Sequence, residues 1–131
     1  MIVLDASAAV DFLIGARAFE RIAARIGAPG ETLHAPHLLD VEVAHALRRL
    51  VLRGAIPAGR AEQALEDLAE LRIRRYSHAR LLPRVWEIRA NVTAFDAVYV
   101  ALAEALGAPL LTTDAALSRS PAHAAVVELV N

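Results

Sequence analysis

The sequence predicts an α/β domain: a three-layer α/β/α sandwich on a central, mainly parallel sheet of about five short strands. Three observations lead there. Short apolar runs such as Ile2-Val3-Leu4 and Leu110-Leu111 alternate along the chain with stretches of helical periodicity. Runs without polar alternation suit strands buried on both faces, and strand–helix alternation builds a parallel sheet covered on both sides. The segment Ala97-Val98-Tyr99-Val100-Ala101-Leu102-Ala103 offers no polar face, the mark of a helix packed inside a protein. Finally, 131 residues suffice for one domain with a sizeable core and fall short of two, so residues 1–131 are read as a single domain.

Taken in order, residues 1–5 form a short buried strand ending at Asp5, and Asp5-Ala6-Ser7 opens a helix running to Gly15. Residues 16–26 continue as helix, with Arg17, Arg21 and Arg25 on one exposed face at i, i+4 spacing. Gly27-Ala28-Pro29-Gly30 is a loop and Leu33-His34-Ala35 a strand, with Pro36 placed to start the next helix. That helix, over 37–53, carries Leu39, Val43, Ala46, Leu47 and Leu50 on one stripe, with Glu42 beside it. Gly54 ends it, and an amphipathic helix over 60–71 turns Ala61, Leu65 and Leu68 inward. A strand over 73–76 and a helix over 81–90 precede the most informative stretch, NVTAFDAVYVALAEALGAPLLTTD at 91–114. It reads as a buried helix stopped at Gly107, then a short strand ending at Asp114. A short helix at 115–117 and a strand at 126–130 close the chain.

Composition removes several function classes. All fourteen positive charges are Arg, and the absent Lys disfavours a P-loop NTPase, a phosphoacceptor receiver domain and a haloacid-dehalogenase-like phosphatase. The absence of Cys removes disulfides, thiolate metal sites and a thiol nucleophile. There is no secretory signal pattern and no apolar run of the ~18 residues that a membrane span needs, which suits a cytoplasmic protein without a membrane partner. A net charge of −1 points to no polyanionic partner by itself.

Four acids carry the functional argument. Asp5 and Asp114 stand at predicted strand ends, where open parallel sheets bind ligands. Asp96 opens the buried helix, and Glu42 lies in the early turns of its own. Each has a plain structural account: Asp5 and Asp114 suit N-caps, Thr93 and Asp96 suit a capping box, and Glu42 suits an exposed helix face. Together they read differently, because converging carboxylates repel unless a cation joins them. Oxygen-only ligands with no Cys suit Mg2+ or Mn2+. Such a centre fits phosphodiester hydrolysis, in which the cation activates water and stabilises the leaving oxygen. Ser7 and Thr113 are placed to hydrogen-bond the ligand acids, and both equally suit capping hydroxyls.

LDASA at 4–8, the helix around Val41-Glu42-Val43 and the 91–114 stretch together resemble a PIN-domain ribonuclease, and most of all the VapC toxins of bacterial toxin–antitoxin modules. The similarity runs over nearly the whole chain, and 91–114 is its most specific part. Phe95 stands where a Tyr is usual before the Asp. The resemblance implies a PIN-like sandwich whose catalytic acids are Asp5, Glu42, Asp96 and Asp114. Asp5 and Asp96 would be the most direct Mg2+ ligands, with Asp114 close by or bridged through water; Asp40 competes with Glu42 for its place. It also implies an RNA substrate, a cognate VapB-like antitoxin and a homodimer.

Other features carry less. The five His residues show no metal-binding spacing and read as surface or capping groups; Tyr76 and Trp86 read as packing groups. Arg48, Arg49 and Arg53 share a helix with Glu42 and read as a solvated face able to meet phosphate. Two rival readings remain at this point: a PIN-like domain that binds RNA or a partner without turnover, and another metal phosphohydrolase acting on DNA or small esters.

Overall fold

In a computed structural model describing residues 1–121 and 123–131, five strands form one sheet that is parallel throughout. The strands are β1 (Ile2–Leu4), β2 (Leu33–Pro36), β3 (Ile73–Tyr76), β4 (Leu110–Thr112) and β5 (Val127–Leu129), in the order β3-β2-β1-β4-β5. β1 is central and wholly buried. From it the chain winds outward through β2 and β3, then crosses over to add β4 and β5 on the other side. The reversal falls between β1 and β4, the place where such sheets open a crevice at their carboxyl ends.

Helices α1 (Ala6–Leu13), α2 (Phe19–Ile26), α3 (Leu38–Leu52) and α4 (Ala58–Glu70) pack on one another as one layer. Helices α5 (Leu82–Glu87) and α6 (Ala94–Leu106) form the other, with α6 lying against β1, β2 and β4. Short helix α7 (Ala115–Ser118) joins β4 to β5. Ala97 to Ala103 are all buried, as the apolar circumference of that segment requires. Gly107 ends α6 in the left-handed conformation, φ 61°, which a Cβ would strain, and so turns the chain directly into β4.

Several expectations are corrected. Pro36 closes β2 rather than opening α3: the pairing with β3 continues to Pro36 opposite Tyr76, and His37 N–H donates to the Tyr76 carbonyl at 2.9 Å. Residues 16–18 form a turn, so Arg17 precedes α2, and Arg25 is drawn off the exposed face by Glu31 and Glu128. Leu65 is 40% exposed, because α4 buries Ala61, Ala64 and Leu68 and leaves Leu65 at the border of that stripe. The helix expected over 81–90 is a 3-10 turn at Ala79–Leu81 followed by the shorter α5. Trp86 is 68% exposed, with the Arg89 guanidinium 4.7 Å from its ring centroid. His34 is buried, its ring nitrogens bonded to Thr32 Oγ1 at 2.8 Å and the Tyr76 hydroxyl at 2.7 Å.

Candidate active site

Asp5 leaves β1 where the sheet's winding reverses and is 6% exposed. Its Oδ1 accepts from the Ala8 backbone N–H at 2.9 Å, capping α1, and from the Ser7 hydroxyl at 2.7 Å. Its Oδ2 accepts from Thr112 Oγ1 across the β1–β4 boundary. Thr112 Oγ1 in turn accepts from Asp114 N–H, and Ser7 Oγ from Thr113 N–H, both at 3.0 Å. The residue that touches Asp5 is therefore Thr112, not Thr113, which contributes only its backbone. Register decides this: with Leu4 opposite Leu111, Asp5 N–H reaches the Leu111 carbonyl and Thr112 turns inward beside the carboxylate.

Asp96 sits half-buried in the first turn of α6, and its N–H donates to Thr93 Oγ1 at 3.2 Å. Asp114 is exposed beyond β4, its Oδ1 accepting from Ala116 N–H at 2.8 Å to cap α7. Glu42 comes from α3, where its Oε1 accepts the Tyr99 hydroxyl at 2.6 Å. Asp40, two residues earlier, is held away by a two-pronged pair with Arg75 at 2.7 and 2.8 Å, so Glu42 is the acid that joins the others. The structural and functional readings of these acids thus coexist: Asp5 and Asp114 cap helices, and all four acids still line one cavity of about 580 Å3.

The electrostatics report the crowding. Burial, and less strongly the charge of Asp96, push the Asp5 carboxyl up to about 6 against the pull of its hydrogen bonds. Burial and then the charge of Asp114 raise Asp96, against the Thr93 hydroxyl. Burial raises Glu42 too, partly offset by the Tyr99 hydrogen bond, while Asp96 adds to the rise. Tyr99 is held far above the usual phenol range by its own burial and by Glu42. Among the described residues, none of the ion pairs involves Asp5, Glu42, Asp96 or Asp114.

Clustered carboxylates with no cation partner suit a hard divalent ion. Among the described residues, no group of three or more His, Asp or Glu side chains is gathered so as to hold a metal ion together. The four acids instead surround an open space, which fits a hydrated ion held directly by one or two carboxylates.

Among the residues that line this cavity without having been assigned to it from sequence are Asp11 on α1, and His45, Arg49 and Arg53 along α3. The signal for the last three was present, since they follow Glu42 at helical intervals of three and four residues. Arg48, between them, faces solvent.

Comparison with known proteins places the chain in a family. The family model described as "PIN domain" matches residues 2–122. VapC ribonuclease Mb0985 of Mycobacterium bovis is 48% identical over 119 residues, covering 90% of this chain and 89% of that protein. Ribonuclease VapC1 of Mycobacterium tuberculosis is 46% identical over 129 residues, covering 98% and 96%. Among solved structures, VapBC2 of Rickettsia felis, bound to a promoter DNA fragment, matches with TM-score 0.71 at 16% identity over the full length of both chains. VapC20 of Mycobacterium tuberculosis, described as a sarcin–ricin loop-cleaving toxin, matches with TM-score 0.66 at 16% identity, covering 90% of this chain and 93% of its own. The two structures share the fold, and the two close sequence relatives specify the branch: this chain belongs to the PIN-domain family, within its VapC ribonucleases.

Proposed function

We propose that this chain is a Mg2+-dependent endoribonuclease, with Mn2+ as a substitute, that serves as the toxin of a bacterial toxin–antitoxin pair. The observation that carries this is the convergence of Asp5, Glu42, Asp96 and Asp114 on one cleft, at the reversal of the sheet's winding, without a cation partner. Asp5 and Asp96 would hold the ion most directly, with Asp114 close by or bridged through water. Glu42, fixed by Tyr99, would complete the acidic cluster on the α3 side of the cleft. A divalent ion there supplies activation of water and stabilisation of charge on the leaving oxygen. Ser7 and Thr112 keep the Asp5 carboxylate in one orientation by donating to both of its oxygens.

The close relatives named as VapC ribonucleases support RNA as the substrate. The Rickettsia felis assembly supports a VapB-like antitoxin as partner. A homodimer and a cytoplasmic location belong to the same reading, with residues 1–131 acting as one domain. Among the described residues, no helix is long and apolar enough to cross a membrane.

The test is a panel of single-stranded RNA, DNA of the same sequence and a chromogenic phosphate ester, incubated with the purified chain in Mg2+, Mn2+ or EDTA. Cleavage of RNA alone, abolished by EDTA, is expected. Hydrolysis of DNA or ester at comparable rates would favour a broader phosphohydrolase. If a small DNA-binding protein is encoded beside this chain, co-expression with it should relieve toxicity.

A further inference from the structure

Helix α3 carries a stripe of changing charge along one wall of the cleft. Glu42, His45 and Arg49 follow one another at helical spacing, and Arg53, the residue that caps the helix, extends the row. At 1.5 Å per residue the row runs about 16 Å, with the acid at the end facing Asp96 and the two guanidinium groups two and three turns beyond. Arg49 and Arg53 are exposed, and among the described residues no carboxylate pairs with either. Elsewhere the chain does spend its arginines on acids: Arg25, Arg75 and Arg84 all pair with Asp or Glu. Among the described residues, this one cavity thus holds five acids with no cation partner, Asp11 included, and two arginines with no acid partner.

A second wall differs. It comes from α1 and its C-terminal end and presents Val10, Asp11 and Ile14. Asp11 is partly buried, and that burial raises its carboxyl above the usual range. A carboxyl on this wall repels phosphate but accepts N–H and O–H donors of the kind that nucleosides carry. Walls of such different chemistry suit a nucleotide chain with its anionic groups toward α3 and its sugar and base toward α1. The two arginines suit phosphate geometrically, because the planar guanidinium fork makes paired hydrogen bonds to its oxygens. One helical turn, about 5.4 Å, is comparable with the step between neighbouring phosphates of an extended strand.

We propose that the α3 wall beyond Glu42 is the binding track for single-stranded RNA next to the scissile bond, with Arg49 and Arg53 each taking one flanking phosphate and the nucleosides turned toward Val10, Asp11 and Ile14. This rests on the ribonuclease reading above and adds the polarity of the bound strand across the cleft. Arg48 lies on the same helix but outside the cavity and takes no part.

The test compares the wild-type chain with Arg49→Ala, Arg53→Ala, the double variant and Arg48→Ala, using a fluorescein-labelled single-stranded RNA. Steady-state cleavage in Mg2+ is run over a salt series. Binding of the same RNA is followed by fluorescence anisotropy in EDTA. The track requires a KM roughly tenfold or more higher for the double variant at little-changed kcat. The slope of log affinity against log salt should flatten by about 0.7 for each arginine removed. Arg48→Ala should match wild type. Equal affinity and salt slope in the double variant would overturn the track, as would a lost kcat at unchanged KM, which would place the arginines in the chemistry. A track serving an acidic partner segment instead would show as unchanged RNA binding, and so also as failure. If the wild-type chain cleaves no RNA, the ribonuclease reading fails by itself. The anisotropy series then still decides the track.

Discussion

The Tyr99 hydroxyl donates to Glu42 Oε1 at 2.6 Å, tying the buried helix α6 to α3 beneath the acidic cleft. Tyr99 is 2% exposed, so its ring is fixed by packing, and the only polar atom of its side chain is committed to one carboxylate oxygen. Glu42 projects from a helix in the other layer of the sandwich, and this bond sets its position relative to Asp96.

Tyr99→Phe should therefore act on the site more than on the fold. The loss in stability should be about 1 kcal/mol, the net worth of one hydrogen bond. Without the hydroxyl that lowers it, the Glu42 carboxyl rises further, so both Mg2+ binding and cleavage should need a higher pH to reach half their maximum. Calorimetric Mg2+ titrations at several pH values check this, and an unshifted profile would show that Glu42 is positioned by other contacts.

Asp5 links the metal site to stability. Its carboxyl titrates at about 6 in the fold and near 3.8 when unfolded. The folded state thus holds the proton more tightly, and the metal-free chain should lose stability as pH rises from about 4 to above 6, on the order of 3 kcal/mol from this group. Mg2+ binds the ionised form and should offset that loss. Asp5→Asn should flatten the pH dependence, raise metal-free stability at pH 7.5 and remove most of the Mg2+-induced gain, as read from urea unfolding. Identical pH slopes in the two proteins would contradict the assignment.

Asp40 and Glu42 should separate cleanly. The Asp40–Arg75 pair is partly exposed, with side-chain exposures of 41% and 24%, so Asp40→Asn should cost at most about 1 kcal/mol and leave RNA cleavage within about twofold of wild type. Glu42→Gln should lower cleavage roughly a hundredfold or more. Equal activities of the two variants would show that the wrong acid has been assigned to the cleft.

These residues also mark where sequence is legible. Asp5, Asp96 and Asp114 were readable because each follows or precedes a run whose burial is unmistakable, and a doubly wound sheet brings such points together. Between Asp40 and Glu42 the sequence is silent, since two residues apart on a helix lie on different faces and the face depends on Arg75 in a distant strand. Thr112 and Thr113 pose the same problem at period two: the inward hydroxyl is set by the β1–β4 register, which no local pattern specifies. Trp86 was misread because large apolar area suggests packing, whereas α5 is short and buries Val85 instead. Tyr99 was read as part of an apolar helix. Its hydroxyl partner lies fifty-seven residues away in sequence and becomes visible only in three dimensions.

The central claim, that this carboxylate cleft is the centre of RNA hydrolysis, is tested most directly by Asp96→Asn. The amide has nearly the same shape, and the backbone bond from Asp96 N–H to Thr93 does not depend on the side chain, so the fold should persist with an unfolding transition close to that of wild type. Single-turnover cleavage of a labelled RNA in saturating Mg2+ should then fall below about a thousandth of the wild-type rate. Undiminished, metal-dependent cleavage by the folded variant would contradict the account.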